Sequence, residues 1–489
     1  MLSIAALAPL ITVCVALAMR LSAIKSALLG IVAIIVLYFL FFPFDQEMIL
    51  VTADALWMPI LEIALIILGG ILIAEVLDSV GAQSYITQHL IAATGTRERA
   101  TLLMVLGLVP FLESSIGYGL GIIITVPLLR KLGHSPSRSV ALSLFGLTLT
   151  PWGSLGPGLI ITSELGGISV AELGQALAFV QLPVLFLLNA AILLLAVPRE
   201  KLRRYSLEVF LITLVMSVVL VITNLYISVP LGGLFASLFA VLTTLGISRL
   251  RGTNVKTLLE MKLLISAAPY LIIILGVVLS SAIVPLFGVP IATRISTSPA
   301  TWLLLSALIS APLLSINGQT MLSLLGKTLK RWIRPGTTIL LYIIFGGLLN
   351  ASGMSTELAV TASTLGLWNL LLIPGVNIIA GYVTASVSAH AAMFSLSTAQ
   401  TAIELGLTKS SLLALQTISG ATATIVAPSR FALAAAGLAA YREDEDGAAQ
   451  RGLRQEAPLQ TGKIVALGLG IGILALPFCI AIAWYLGQI

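Results

Sequence analysis

The sequence predicts an all-α, polytopic membrane protein, and three observations carry that prediction. Of 489 residues, 58% are hydrophobic and only 9% are charged, with a mean hydropathy of +1.09; a soluble domain has roughly a quarter of its residues as Asp, Glu, Lys or Arg. Apolar stretches of about 20 residues, the length of a membrane-crossing helix, recur along the whole chain. Those stretches are continuous and do not alternate with polar residues, which excludes a β-barrel.

The net charge of +6 does not point to nucleic acid, because the basic residues sit in short clusters between apolar runs, where they act as topology signals. Cys14 and Cys479 both fall in expected spans, so no disulfide framework, zinc spacing or redox motif is present. Residues 1–19 lack a basic leader and run straight into Arg20, which reads as a retained first span. There is no P-loop, no nucleophile–base pair and no metal-ligand cluster. An ATP-driven pump and an enzyme are therefore disfavoured, and no cofactor or metal is implied.

Reading each apolar run against its flanks gives about twelve spans. The first two, 3–19 and 24–43, form an amino-terminal unit over 1–56, and the span 57–79 opens a first repeat over 57–197. Arg97 and Arg99 precede residues 100–128, and Arg130, Lys131 and Arg138 follow them. Both ends then lie on the cytoplasmic side, which a re-entrant hairpin satisfies and a straight span does not. Spans at 139–162 and 171–197 complete the repeat. Central spans over 198–335 follow, with basic loops at 249–262 and 327–334. A second repeat, 336–440, begins with a span at 336–350, holds a second hairpin at 368–407 entered from outside, and ends with a span at 410–440. A charged cytoplasmic loop, 441–461, precedes the last span, 462–489.

The two hairpins have matching surroundings. "LIILGGILIAEVLDSVG" (65–81) is similar to "LYIIFGGLLNASGM" (341–354), and "ALSLFGLTLTP" (141–151) to "ALQTISGATATIVAP" (414–428). Charge bias gives the copies opposite orientations, an inverted repeat of the kind that secondary transporters build around broken helices.

Within this frame, "PFLESSIGYGLG" (110–121) places Glu113 in an apolar run, where an ionisable group is functional by default and suits proton coupling. Ser114, Ser115 and Tyr118 join it at the tip, and Gly117 and Gly119 let the backbone unwind and approach a ligand. The second hairpin offers Thr384, Ser386, Ser388 and His390 as polar groups for an anion. Thr148, Thr150, Thr422 and Thr424 fall beside the two tips, and "APSRFALAAAG" (427–437) places Ser429 and Arg430 at a proline-marked interruption. A guanidinium there offers a two-pronged fit to a carboxylate; its alternative is to pair with an acid or snorkel to an interface.

"PFLESSIGYGLGIIITVPLLRKLGHSP", "LTPWGSLG", "SGMSTELAV", "TASVSAHAAMF" and "APSRFALAAAGLAAYRED" resemble, in order, segments of the lactate permease family. The resemblance implies uptake of lactate, glycolate or a related 2-hydroxymonocarboxylate by proton or sodium symport. It also implies a relationship to the wider ion-transporter superfamily, in which a hairpin-bearing transport domain moves past a scaffold in elevator fashion. By that analogy the middle spans, 206–326, form the scaffold and a homodimer interface, and the location is the plasma membrane, a prokaryotic inner membrane. Glu113, Gly117 and Gly119 match the family's pattern. Ser114, Ser115 and Ile116 replace its Gly-Ala-Ala, Val387 stands where it has an acidic residue, and Thr424 where it has a lysine. Either Arg430 supplies the lysine's charge, or the substrate or coupling ion differs. The expectation is a secondary active transporter of a small organic anion; the alternatives are a cation/proton antiporter of the same superfamily and a non-transport membrane subunit.

Overall fold

The computed structural model describes residues 2–19, 21–42, 45–117, 119–253, 260–284, 290–446 and 459–488. Among them there are helices and no strands. Three helices open the chain: α1 (Leu2–Ala18), α2 (Ala23–Phe41) and α3 (Gln46–Ser79). Asp45 caps α3 by accepting the Met48 amide at 3.0 Å, and α3 is 34 residues long, beginning eleven residues before the expected start of its span. The short α4 (Ala82–Ala92) follows.

The next segment turns back on itself. It comprises α5 (Arg97–Leu102), a π-helical stretch Leu103–Leu108, α6 (Val109–Ser115) and α7 (Leu120–Lys131). Pro110 has no N–H and its ring crowds the preceding turn, which accounts for the wide-turn stretch just before it. At its open end the segment is closed by Thr101 Oγ1 and His134 Nε2, 2.8 Å apart. The second such segment comprises α19 (Asn369–Thr384) and α20 (Val387–Glu404), described below after the elements between them.

Where a single span was expected over 139–162, the chain forms α8 (Pro136–Phe145) and α9 (Pro157–Gly166), separated by an irregular stretch with left-handed Ser154, Leu155 and Gly156. The span expected over 171–197 is two helices, α10 (Val170–Val180) and α11 (Leu182–Ala196), bent by 45° at Gln181. There Gln181 Nε2 donates to the Thr148 carbonyl at 2.7 Å, satisfying a backbone group that the broken α8–α9 helix leaves open. Then come α12 (Leu202–Tyr226), α13 (Gly232–Leu250), α14 (Met261–Ile283), α15 (Pro290–Thr297) and α16 (Pro299–Leu313).

One departure matters for the site. The basic stretch 327–334, expected as a loop between two spans, is helical: α17 runs unbroken from Gly318 to Ala351, 34 residues with Pro335 inside it. It packs along α3, where Arg331 pairs with Glu75 and Trp332 Nε1 donates to the Ala64 carbonyl at 2.9 Å. After α18 (Met354–Ser363) come α19 and α20, then α21 (Lys409–Thr424), α22 (Pro428–Asp446) and α23 (Thr461–Gly487). The charged loop expected over 441–461 falls largely on 447–458, outside the described residues.

Nine described helices are long and apolar enough to cross a membrane, ten if the bent α10–α11 pair is one span; α1 and α16 are shorter apolar helices outside that number. The chain is thus a polytopic helical membrane protein, with nine or ten such helices against the twelve spans expected. The arms of the two doubled-back segments exchange partners: α7 packs on α22, and α20 packs on α9. The core forms two buried clusters, one around α8, α10–α13, α21 and α23, the other around α1–α3, α14, α16, α17 and α20.

Burial, with the charges of Arg97 and Arg138 adding to it, pushes His134 down from its ordinary 6.5 to about 4. The unfolded chain therefore binds more protons than the folded one between those values, so stability is full above about pH 6.5 and falls as the pH drops toward 4. His134→Asn should flatten that slope, read as the melting temperature in detergent at pH 4.5, 5.5 and 7.5.

Candidate functional site

The site lies where four helix interruptions meet. α6 ends at Ser115, and the backbone turns through Gly117 (φ +80°) and Gly119 (φ +72°), a conformation that side-chain-bearing residues adopt at a cost. Space imposes the same residue: a Cβ on Gly117 would lie 2.7 Å from the Ser154 Cβ. The Gly119 N–H points back and donates to Glu113 Oε2 at 2.9 Å. Opposite, Ala385 is left-handed (φ +54°) and ends α19, while Ser386 Oγ caps α20 by accepting the Ala389 amide at 3.2 Å. The third interruption is the stretch between α8 and α9, and the fourth is Ile425–Ala427, after which Pro428 opens α22.

Arg430 sits in the first turn of α22, and its Nη2 donates to Glu113 Oε1 at 3.0 Å. Both side chains are buried, at 9% and 3% exposure. One carboxylate thus closes the first turn-back through Gly119 and holds a guanidinium of α22. Breaking such a buried pair from one side leaves an uncompensated charge, at a cost of about 3–5 kcal/mol.

Around this pair opens a cleft of about 1620 Å³, solvent mouth included. Of the residues expected at the site, it is lined by Glu113, Gly117, Thr150, Thr384, Ser386, Ser388, Ser429 and Arg430. Gly119 borders it, since a Cβ there would meet Arg430 Nη1 at 2.6 Å. The other expected residues lie elsewhere. Ser114 faces α13, where a Cβ on Gly233 would come within 2.5 Å of its Oγ, and the Ser115 hydroxyl donates back to the Phe111 carbonyl at 2.8 Å. Thr148 presents its carbonyl to Gln181. His390 is fully buried on α20 with its ring against Gly420. The Thr422 hydroxyl donates to the Ile418 carbonyl at 2.8 Å beside a small apolar crevice that also contains Cys479, and the Thr424 hydroxyl donates to the Ala421 carbonyl at 2.7 Å. Tyr118 lies outside the described residues.

The cleft also contains Ser154, Arg334 and Thr338, which sequence reasoning did not single out, and Val387, which stands at the family's acidic position. Ser154 Oγ is buried without a hydrogen-bond partner among the described residues. Of the four described non-glycine residues with positive φ, Ser154 and Ala385 line the cleft and Leu155 adjoins it. Backbone strain of this sort clusters at functional sites. The charged lining consists of two guanidinium groups, Arg334 and Arg430, against one carboxylate, Glu113. Among the described residues, no three His, Cys, Asp or Glu side chains gather to hold a metal ion.

The L-lactate permease family model matches residues 2–289 and 288–446, and the chain belongs to that family. No curated protein matches it. Among solved structures, it is similar to MtrF of Neisseria gonorrhoeae, described as illuminating a class of antimetabolite efflux pumps. That likeness has 14% sequence identity and a TM-score of 0.48, over 86% of this chain and 80% of that one.

Gly117→Ala is expected to cost about 1–2 kcal/mol from the left-handed backbone alone, read as a lower melting temperature in detergent. Gly246→Ala, whose Cβ would meet nothing within 4 Å on the helical α13, should leave that temperature unchanged or higher.

Proposed function

We propose that this member of the L-lactate permease family is a proton-coupled secondary transporter of a small organic monoanion, lactate or a related 2-hydroxymonocarboxylate. The observation that carries the reading is the Glu113–Arg430 ion pair at the edge of the cleft. With Glu113 ionised, its carboxylate occupies the guanidinium that a substrate carboxylate would take. Protonating Glu113 removes that competitor, and Arg430 can receive the anion in a two-pronged, charge-assisted contact. Linkage makes the effect reciprocal: the bound anion raises the proton affinity of Glu113. Thr384, Ser386, Ser388 and Ser429 supply neutral hydrogen-bonding groups for the rest of the substrate.

Charge balance supports one proton per anion. Unloaded, Glu113 and Arg430 sum to zero; loaded with both proton and monoanion, they and their cargo again sum to zero. A carrier with only one of the two has a net charge, which is costly to move through a low-dielectric interior. In this reading the doubled-back segments 97–134 and 369–404 are re-entrant hairpins of an inverted repeat. The reciprocal packing of α7 on α22 and α20 on α9 supports that arrangement, as does the Thr101–His134 contact joining the ends of the first hairpin. The hairpins and broken helices form the moving part of an elevator-type carrier, and the central helices within 198–335 contribute to its scaffold.

The test is uptake of labelled lactate into proteoliposomes under an imposed proton or sodium gradient. Wild type should accumulate lactate on the proton gradient. Glu113→Gln should lose gradient-driven accumulation while retaining lactate exchange, and Arg430→Gln should raise the KM by about 10- to 100-fold, the worth of a charged hydrogen bond. Accumulation on the sodium gradient alone would remove the proton assignment. Cation-driven proton flux that ignores Arg430→Gln would make the chain a cation/proton antiporter.

A further inference from the structure

Arg334 stands seventeenth in the 34-residue α17, about 25 Å from either end at 1.5 Å per residue. It lines the cleft, its side chain is exposed there, and it has no ion-pair partner among the described residues. Its neighbours are committed: Arg331 to Glu75 and Arg430 to Glu113. The Thr338 hydroxyl donates to the Arg334 carbonyl at 2.8 Å and also lines the cleft. Pro335 lacks the N–H that would bond the Arg331 carbonyl, so the helix has a weak point at the same place. Arg334 is the last charge of α17 before its uncharged stretch 335–351, so an anion entering the cleft meets an unpaired guanidinium at the start of the apolar part of the helix.

We infer that Arg334 is the residue that first captures the anion: it binds the incoming carboxylate while Arg430 is still held by Glu113, and passes it to Arg430 once Glu113 is protonated. This rests on the reading of the cleft as an anion path. The two guanidinium groups differ in what holds them. Arg430 is buried and neutralised, so it contributes little long-range attraction. Arg334 is exposed and unneutralised, so it supplies most of the positive field that concentrates anions in the cleft. Its side chain belongs to α17, which packs along α3, whereas Arg430 belongs to the exchanged-arm unit with α7. Capture and coupling therefore reside on different elements. The assignment makes Arg334 a determinant of apparent affinity and charge selection, leaving coupling to Glu113.

Two measurements test it. In the uptake assay, Arg334→Gln should raise the KM for lactate by about 10-fold with kcat kept within about two-fold, and Arg334→Lys should recover part of that loss, because a lysine keeps the charge without the two-pronged fit. The second measurement needs no substrate. Ser429, exposed and lining the cleft, is replaced by Cys, and its labelling rates with an anionic and a cationic methanethiosulfonate are compared. The same protein without Ser429→Cys gives the background from half-buried Cys14 and buried Cys479. Arg334→Gln should lower the anionic-to-cationic rate ratio by about 10-fold, the lower end of what field focusing in a cleft supplies. Lys330→Gln, the same loss of charge on α17 outside the cleft lining, should leave it unchanged. An unchanged ratio in Arg334→Gln overturns the inference, as does a loss confined to kcat. If wild type ignores lactate, the substrate reading fails, and the labelling ratio still decides the role of Arg334.

Discussion

The structure of the site depends on one carboxylate with two obligations. Glu113 accepts the Gly119 amide, which fixes the turn where the first doubled-back segment reverses, and it accepts Arg430, which fixes the first turn of α22. Those contacts lie 317 residues apart in sequence for the ion pair and six for the amide. The same carboxylate that holds a local turn through Oε2 therefore also ties α22 to it through Oε1. Moving Glu113 would unfasten both, and its surroundings permit little movement: the Gly117 turn abuts Ser154, and Gly153 lies with its would-be Cβ 3.6 Å from Glu113 Oε1.

A helix broken inside a membrane leaves amides and carbonyls that lipid cannot satisfy. Three nearby polar side chains answer such breaks in this chain. Glu113 takes the Gly119 amide, Gln181 serves the Thr148 carbonyl, and Ser386 takes the Ala389 amide. The exchanged arms then cover the breaks from both sides, α7 against α22 and α20 against α9. At that second contact, a Cβ on Gly158 would meet Val387 Cγ1 at 2.7 Å and the Ser388 nitrogen at 3.2 Å, so a glycine lets α9 close against the start of α20 at the cleft wall. What the arrangement leaves open is the cleft itself, with Ser154 and Arg334 in its lining.

The sequence made the charged half of this site legible because charge is conspicuous in an apolar background. Glu113 stands alone in its run, and Arg430 follows a proline at a break; neither inference needed a structure. The sequence leaves pairing with an unspecified acid as one alternative for Arg430 and does not point to Glu113, since sequence separation conceals contact. The polar half was harder to read. Thr148, Thr422 and Thr424 share small-residue motifs with Thr150, yet only Thr150 lines the cleft. Threonines in helices often bond their own preceding carbonyls, as Thr422 does. The basic stretch 327–334 misled for a related reason. Loop placement follows from Lys and Arg clusters when the clusters flank a span, but α17 carries them along its own length, with Arg331 paired to Glu75 on the neighbouring helix. A loop over that stretch gives Arg334 no place beside the cleft, whereas the continuous α17 puts it in the cleft lining.

A buried ion pair is a poor source of stability, because well-packed apolar residues of similar volume often do as well or better. In the proposed mechanism its value lies in which proton it controls. Arginine does not give up its proton at any ordinary pH, whereas a buried lysine can. A lysine facing Glu113 could neutralise the pair internally, by passing its own proton to the carboxylate, and leave both groups uncharged with no proton taken from solution. The anion would then lose the cation it needs at the moment the carboxylate vacates it. With Arg430 in that place, the only way to neutralise Glu113 is to bring a proton from outside, and doing so necessarily leaves a full positive charge for the anion to meet. In the proposed mechanism, the choice of guanidinium over ammonium at residue 430 is what makes proton and anion arrive together.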